Sequence, residues 1–346
     1  MDGISPASCF LAANTAAGFY SVYEDLARPE KGDRVWYIKG GPGNGKSTFL
    51  RRVAAAAEAA GHHVEYILCS GDPGSLDGIY IRELKCAYVD ATAPHVREPV
   101  LPGVSGRYLD LSQFYKNTDR IDPSALAALF GAYREQYDRA YALLAAAGKA
   151  DPTRDPSLFP AEAEARLFEA GQEHGLRTVP EGCGGEARRR FLSANSCLGF
   201  LSLPGMAFAN GRVWLIRGGL AHVWLSGAAE ACKERNQRFI LCPDPLDPER
   251  LDGLILPDAG ISYLKAHTGV RYPAKGASRI DAECESEKSG AYRQLKRLQN
   301  ALLKEAYSRL ASAKELHDEL EALYRPAVDF KALDRFTAKH IKEHIR

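Results

Sequence analysis

The strongest constraint on this chain is that it contains itself twice. Phe10-Leu11-Ala12-Ala13-Asn14-Thr15-Ala16-Ala17-Gly18-Phe19-Tyr20-Ser21 returns as Phe191-Leu192-Ser193-Ala194-Asn195-Ser196-Cys197-Leu198-Gly199-Phe200-Leu201-Ser202, with seven of the twelve positions identical. Arg34-Val35-Trp36-Tyr37-Ile38-Lys39-Gly40-Gly41 returns as Arg212-Val213-Trp214-Leu215-Ile216-Arg217-Gly218-Gly219. Asp72-Pro73-Gly74-Ser75-Leu76-Asp77-Gly78 returns as Asp247-Pro248-Glu249-Arg250-Leu251-Asp252-Gly253. The order is kept from end to end, so two tandem copies of one unit are expected, residues 1–185 and 186–346. A length of 346 residues suits two domains of roughly 100–200 residues each.

Within the first copy, the apolar run Val35-Trp36-Tyr37-Ile38 leads into Gly40-Gly41-Pro42-Gly43-Asn44-Gly45-Lys46-Ser47-Thr48 and then an alanine-rich segment. Strand, glycine-rich loop and helix in that order, with four residues between Gly40 and Gly45-Lys46-Ser47, is the pattern of a phosphate-binding P-loop. Glycines let backbone N–H groups turn inward around an anion, and the helix N-terminus adds unpaired donors and partial positive charge. The spacing assigns Lys46 to the β- and γ-phosphates and the Ser47 hydroxyl to Mg²⁺. A second apolar run, Cys86-Ala87-Tyr88-Val89, ends on Asp90, the expected metal-orienting carboxylate.

Apolar runs alternating with helical segments imply an α/β fold, in which each copy is a mostly parallel sheet flanked by helices. Val64-Glu65-Tyr66-Ile67-Leu68-Cys69 reads as a strand, and the Pro- and Gly-rich residues 70–75 after it as a turn. Leu126, Leu129, Tyr133, Tyr137, Ala140 and Leu144 repeat at helical spacing, and a shorter helix is expected near residues 161–173. In the second copy the stripe from Leu295 to Leu323 marks a long helix that Pro326 ends. Ala140, Tyr141 and Leu144 line up with Ala306, Tyr307 and Leu310, so the helical tails belong to the repeat; packing is their expected role.

A net charge of +1 carries no electrostatic commitment to nucleic acid or an anionic membrane. No apolar run approaches the roughly 18 residues of a membrane span, and residues 1–5 lack the pattern of a secretory signal. The eight cysteines are scattered without zinc-like spacing, and a cytoplasmic location is expected.

The second copy lacks both halves of the phosphate site. Trp224 stands where the first copy has Lys46, and Lys265 where it has Asp90, so one nucleotide site and one pseudo-site are expected. Asp72 and Asp77 are catalytic candidates, as general base or acceptor-side residues, because strand ends face the ligand crevice in such sheets. The second copy keeps both as Asp247 and Asp252 without the loop, which favours a turn, with Asp72 opening an Asx-turn and Asp77 capping the segment after it. His95 is close to Asp90 in sequence, and Arg217 or Arg271 is a candidate to complete the site across the repeats.

With residues 38–47 and 69–78 and Val89-Asp90-Ala91-Thr92-Ala93-Pro94-His95 taken together, the chain resembles a family of bacterial tandem P-loop proteins called ATPases or nucleotide-binding proteins. The resemblance covers nearly the full length. It implies a P-loop NTPase fold, nucleotide binding by residues 40–48 and a metal role for Asp90. Ala91 follows Asp90 where motor ATPases place a glutamate, and no Asn-Lys-x-Asp motif is present to read guanine, so ATP is expected over GTP. The expected function is a Mg²⁺-dependent, slow ATPase whose one site is regulated or completed by the second copy. The alternatives are a small-molecule phosphotransferase and a non-enzymatic nucleotide sensor.

Overall fold

The structure is a computed structural model that describes residues 5–93, 96–273 and 276–346. Chain order begins β1 (Ser8–Cys9), β2 (Ala12–Thr15), β3 (Gly18–Ser21), β4 (Arg34–Lys39), α1 (Lys46–Ala59), β5 (Val64–Leu68), β6 (Leu76–Ile81), β7 (Cys86–Asp90) and β8 (Gly106–Asp110). Helices α2 (Pro123–Lys149) and α3 (Ala161–Thr178) come next. The second copy runs β9 (Ala187–Arg189), β10 (Ser193–Ser196), β11 (Gly199–Ser202), α4 (Gly205–Asn210), β12 (Arg212–Arg217), α5 (Ala221–Glu234), β13 (Phe239–Pro243), β14 (Leu251–Leu256), β15 (Ile261–Lys265) and β16 (Ala277–Asp281). It closes with α6 (Gly290–Tyr324) and α7 (Phe330–His344). Two six-stranded, mostly parallel sheets flanked by helices result, which is an α/β architecture.

The chain forms two compact units, and these are not residues 1–185 and 186–346. The loop unit comprises Tyr23–Asp138 and Arg309–Arg346; the hairpin unit comprises Met1–Val22 and Arg139–Ser308. Each unit therefore takes its main sheet from one copy and its C-terminal helix from the other.

In the loop unit, β4 lies between β7 and β8, parallel to both, so Ile38 pairs with Asp90 and with Leu109. Strand β6 is antiparallel to β5 and β7, a departure from the turn expected at Asp77. Seven residues separate β5 from β6, too few for the crossover a parallel pair requires, so the chain doubles back as a hairpin. Ile38, Ile67, Ile79, Ile81 and Tyr88 are fully buried. Helix α1 buries Phe49, Leu50 and Val53 and is backed by α7, which the sequence pattern does not announce. Asp329 caps α7, accepting a hydrogen bond from the Ala332 N–H at 3.0 Å. His340 of α7 stands edge-on to Trp36 with centroids 4.9 Å apart, and its Nε2 lies 2.9 Å from the Tyr88 hydroxyl.

The hairpin unit repeats this plan. Strand β12 lies between β15 and β16, parallel to both, and β14 is antiparallel to β13 and β15. Here α3 does for the second copy's sheet what α7 does for the first. Its His174 packs edge-on against Trp214 (4.8 Å) and Tyr263 (5.7 Å), the counterparts of Trp36 and Tyr88. Helices α3 and α5 cross at Gly171 and Gly227, where a Cβ on either would meet a carbonyl oxygen of the other helix at 2.0 Å.

Both copies of the 12-residue repeat, β2 with β3 and β10 with β11, also lie in this unit and face each other. Asn14 Nδ2 donates to the Asn195 carbonyl at 2.8 Å, and Asn195 Nδ2 to the Asn14 carbonyl at 2.9 Å. Tyr141 donates to Asn14 Oδ1 and Tyr307 to Asn195 Oδ1, each at 3.0 Å. Phe10 and Phe191 exchange backbone hydrogen bonds at 2.9 Å in both directions. The best-kept stretch of the repeat is thus where one copy meets the other across a local two-fold.

Burial, with a smaller contribution from neighbouring His344, pushes His340 from 6.5 down to about 4. The unfolded chain takes up this proton near pH 6.5 while the folded chain resists until about pH 4. Stability is therefore intact above pH 6.5 and falls as pH drops from 6.5 toward 4. Thermal melts across this range are expected to show the loss, and His340→Gln, which does not titrate, is expected to show a smaller one.

Candidate functional site

Strand β4 delivers the chain to residues 40–45, and α1 starts at Lys46 with Gly45 at its N-cap in the left-handed region (φ 91°). Lys46 Nζ donates to the carbonyls of Gly40 (2.8 Å) and Gly41 (2.9 Å) and lies 3.7 Å from Asp90 Oδ2. Asp90, last residue of β7, accepts the Thr92 N–H at 2.8 Å, and the Thr92 hydroxyl donates to the Gly40 carbonyl at 3.0 Å. These bonds tie the end of β7 to the start of the loop, as parallel pairing with β4 requires. Ser47 Oγ accepts the Leu76 N–H at 3.1 Å. Asn44 is buried, and neither atom of its amide has a hydrogen-bond partner among the described residues.

A cavity of about 660 Å³ opens over the loop. Residues Gly41, Pro42, Gly43, Asn44, Gly45, Lys46, Ser47 and Thr48 form one wall, together with Asp72, Asp77 and Asp90. Gly40 is outside this lining and contributes the carbonyl that holds Lys46. The size falls in the range of roughly 300–1,000 Å³ typical of ligand pockets. The facing wall comes from the tails: Phe130, Tyr133 and Tyr137 of α2, and Lys314, His317 and Tyr324 of α6. Sequence reasoning alone gives these residues no part in a site. Their signal is spacing: 130, 133 and 137 on one helix, and 314, 317, 321 and 324 on the other, each keep to one helical face.

The two further carboxylates differ in setting. Asp72 makes the Asx-turn, accepting from the Gly74 N–H and the Ser75 hydroxyl, both at 3.1 Å, and lies 3.6 Å from Lys314 Nζ. Asp77 sits inside β6, buried, and accepts the Tyr23 hydroxyl at 3.1 Å. Burial, reinforced by the Asp77 charge, pushes both the Tyr23 phenol and the Cys69 thiol well up. Neither Arg217 nor Arg271 lines the cavity; Arg217 pairs with Glu283 at 2.9 Å, whereas Arg325, which no motif singles out, does line it. His95 lies outside the described residues.

In the hairpin unit the corresponding positions are occupied by the protein's own groups. Trp224 is buried against His174 and Tyr263. Glu287 Oε1 accepts the N–H of Gly219, the counterpart of Gly41, and that of Cys284, both at 3.0 Å. Lys265 Nζ lies 2.9 Å from Asp244. Burial works against the charge on Asp244, but Lys265 outweighs it and holds the carboxyl below its ordinary range. Burial would likewise lower Lys265, and Asp244 and Asp252 raise it instead.

Gly43 is where the loop meets the backbone of another element. Its φ is 66°, and an added Cβ would stand 2.9 Å from the Glu321 carbonyl oxygen of α6. Gly43→Ala combines left-handed backbone strain with that contact and is expected to destabilise the protein by about 1–3 kcal/mol. A urea midpoint unchanged by the substitution would refute the close approach. No described helix is long and apolar enough to cross a membrane. Compared with family models, curated proteins and solved structures, the chain matches none.

Proposed function

We propose that residues 40–48 are a P-loop holding the triphosphate of Mg²⁺-ATP, and that the protein is a slow ATPase with one nucleotide site, in the loop unit. The observation that carries this is the meeting of Lys46, Ser47 and Asp90 on one cavity wall, with Lys46 spanning the loop carbonyls and Asp90. Arriving phosphates would draw Lys46 from neutral carbonyls into charge-assisted bonds, worth about 1.5–3 kcal/mol each.

Ser47 and Asp90 offer the hard oxygen ligands that suit Mg²⁺. Among the described residues no group of three His, Cys, Asp or Glu side chains could hold a metal alone. That fits an ion that arrives with its nucleotide and keeps phosphate and water ligands. When bound, it would neutralise charge on the phosphates. The preference for ATP over GTP and membership of the bacterial tandem P-loop family belong to this proposal, supported by the motifs in the sequence. Eight free cysteines suit the reducing cytoplasm.

A second reading, transfer of the phosphoryl group to a small molecule, is favoured by one observation: the cavity extends past the loop to an aromatic wall at Phe130, Tyr133 and Tyr137. Calorimetry and phosphate release with ATP and GTP, with and without Mg²⁺, test both. Lys46→Ala is expected to weaken ATP binding about 10- to 100-fold, and Asp90→Asn to abolish the Mg²⁺ dependence. Wild type giving no heat with ATP would end the proposal. ATP consumption that starts only when a hydroxyl-bearing metabolite is added would replace hydrolysis with transfer.

A further inference from the structure

We propose that Lys314, on the half of α6 that belongs to the loop unit, is the cation that neutralises the terminal phosphate of the bound nucleotide; this rests on the ATP-site reading above. The sequence offers Arg217 and Arg271 for this task, and neither borders the cavity. Lys314 and Arg325 do, both from α6 and the turn after it.

Position along the helix separates these two. The Glu321 backbone of α6 abuts Gly43 at the tip of the loop. Arg325 lies one turn beyond that point, on the exposed side. Lys314 lies two turns before it, about 10 Å along the axis, over the end of the cavity that holds Ser47. A run of contacts fixes it there. Its Nζ is 3.6 Å from Asp72 Oδ2, the same oxygen accepts the Ser75 hydroxyl at 3.1 Å, and the next residue, Leu76, donates to Ser47 Oγ at 3.1 Å. Asp318, one turn along α6, holds the ammonium from its other side. Two carboxylates thus keep a charged lysine at the metal end of the site, and a phosphate oxygen can take the place of either.

In the reaction, the oxygen of a water bonds to the γ-phosphorus as the bond from phosphorus to the β–γ bridging oxygen breaks. ADP leaves with the electron pair, and the water's proton passes to the released phosphate. Lys314 keeps its proton and offsets the negative charge spread over the γ-oxygens.

The test uses the full chain. Lys314→Ala and Lys314→Gln are expected to bind ATP within about 3-fold of wild type, yet release phosphate about 100-fold more slowly or worse, since a cation placed on the transferring phosphoryl group, in cis or in trans, contributes about 10³–10⁵. Binding of ADP with aluminium fluoride, a planar mimic of the transferring group, is expected to weaken in step with the rate. Melting curves screen for misfolding; should both variants fail them, Lys314→Arg is judged instead, expected to keep ATP affinity and at least a tenth of the rate. Unchanged turnover and mimic binding in folded variants, with Lys46→Ala still weakening ATP binding about 10- to 100-fold, would overturn the role of Lys314 and leave the nucleotide site standing. No ATP binding by wild type would overturn both.

Discussion

One face of each sheet is covered by two helices, one from each copy: Tyr88 meets Phe49 of α1 and His340 of α7, and Tyr263 meets Trp224 of α5 and His174 of α3. The rest of the architecture rests on that arrangement. Trp36 and Tyr88 of the first copy are covered by His340 of the last helix, and Trp214 and Tyr263 of the second by His174 of α3. Because the C-terminal part of α6 and all of α7 come with the loop unit, the cavity over residues 40–48 has a wall from the second copy. The second copy therefore keeps a part in the site although its own loop has diverged.

The two copies show opposite ways of settling the same backbone. In the first, a lysine and an aspartate 3.7 Å apart face a cavity large enough for a ligand. In the second, an indole is packed away, a glutamate accepts the loop N–H, and a part-buried ion pair crosses the strand ends. Such a pair holds only with close geometry and further hydrogen bonds, and Asp244 has these from Lys265 and from the Leu246 N–H at 2.9 Å. In the second copy the protein's own groups thus satisfy the loop N–H and the charges at the strand ends.

Much of this was legible in the chain itself. The spacing of Gly40, Gly45, Lys46 and Ser47 put a loop between strand and helix, and the apolar run ending in Asp90 put a carboxylate beside it, because parallel neighbours end at the same level of a sheet. Strand β6 was hidden, since Asp77 and Gly78 interrupt its apolar pattern, and burial of an aspartate becomes tolerable only with a partner such as Tyr23. Helix α7 was missed because Pro326 ends α6, and its buried stripe runs through Leu333, Thr337 and His340, two of them polar. The exchange of tails leaves no local trace: both sheets present the same Trp and Tyr pair, so periodicity cannot say which helix covers which.

A chain of half this length, with one hairpin, one sheet and one tail, would satisfy these contacts only as two molecules, each lending its tail to the other. Asn14 and Asn195, bonded to each other's carbonyls, make within one chain the kind of reciprocal contact that two identical hairpins would make. Joining the halves end to end makes the loan internal and independent of concentration. It also frees the partners from being identical, so one loop can drift while its tail goes on serving the other.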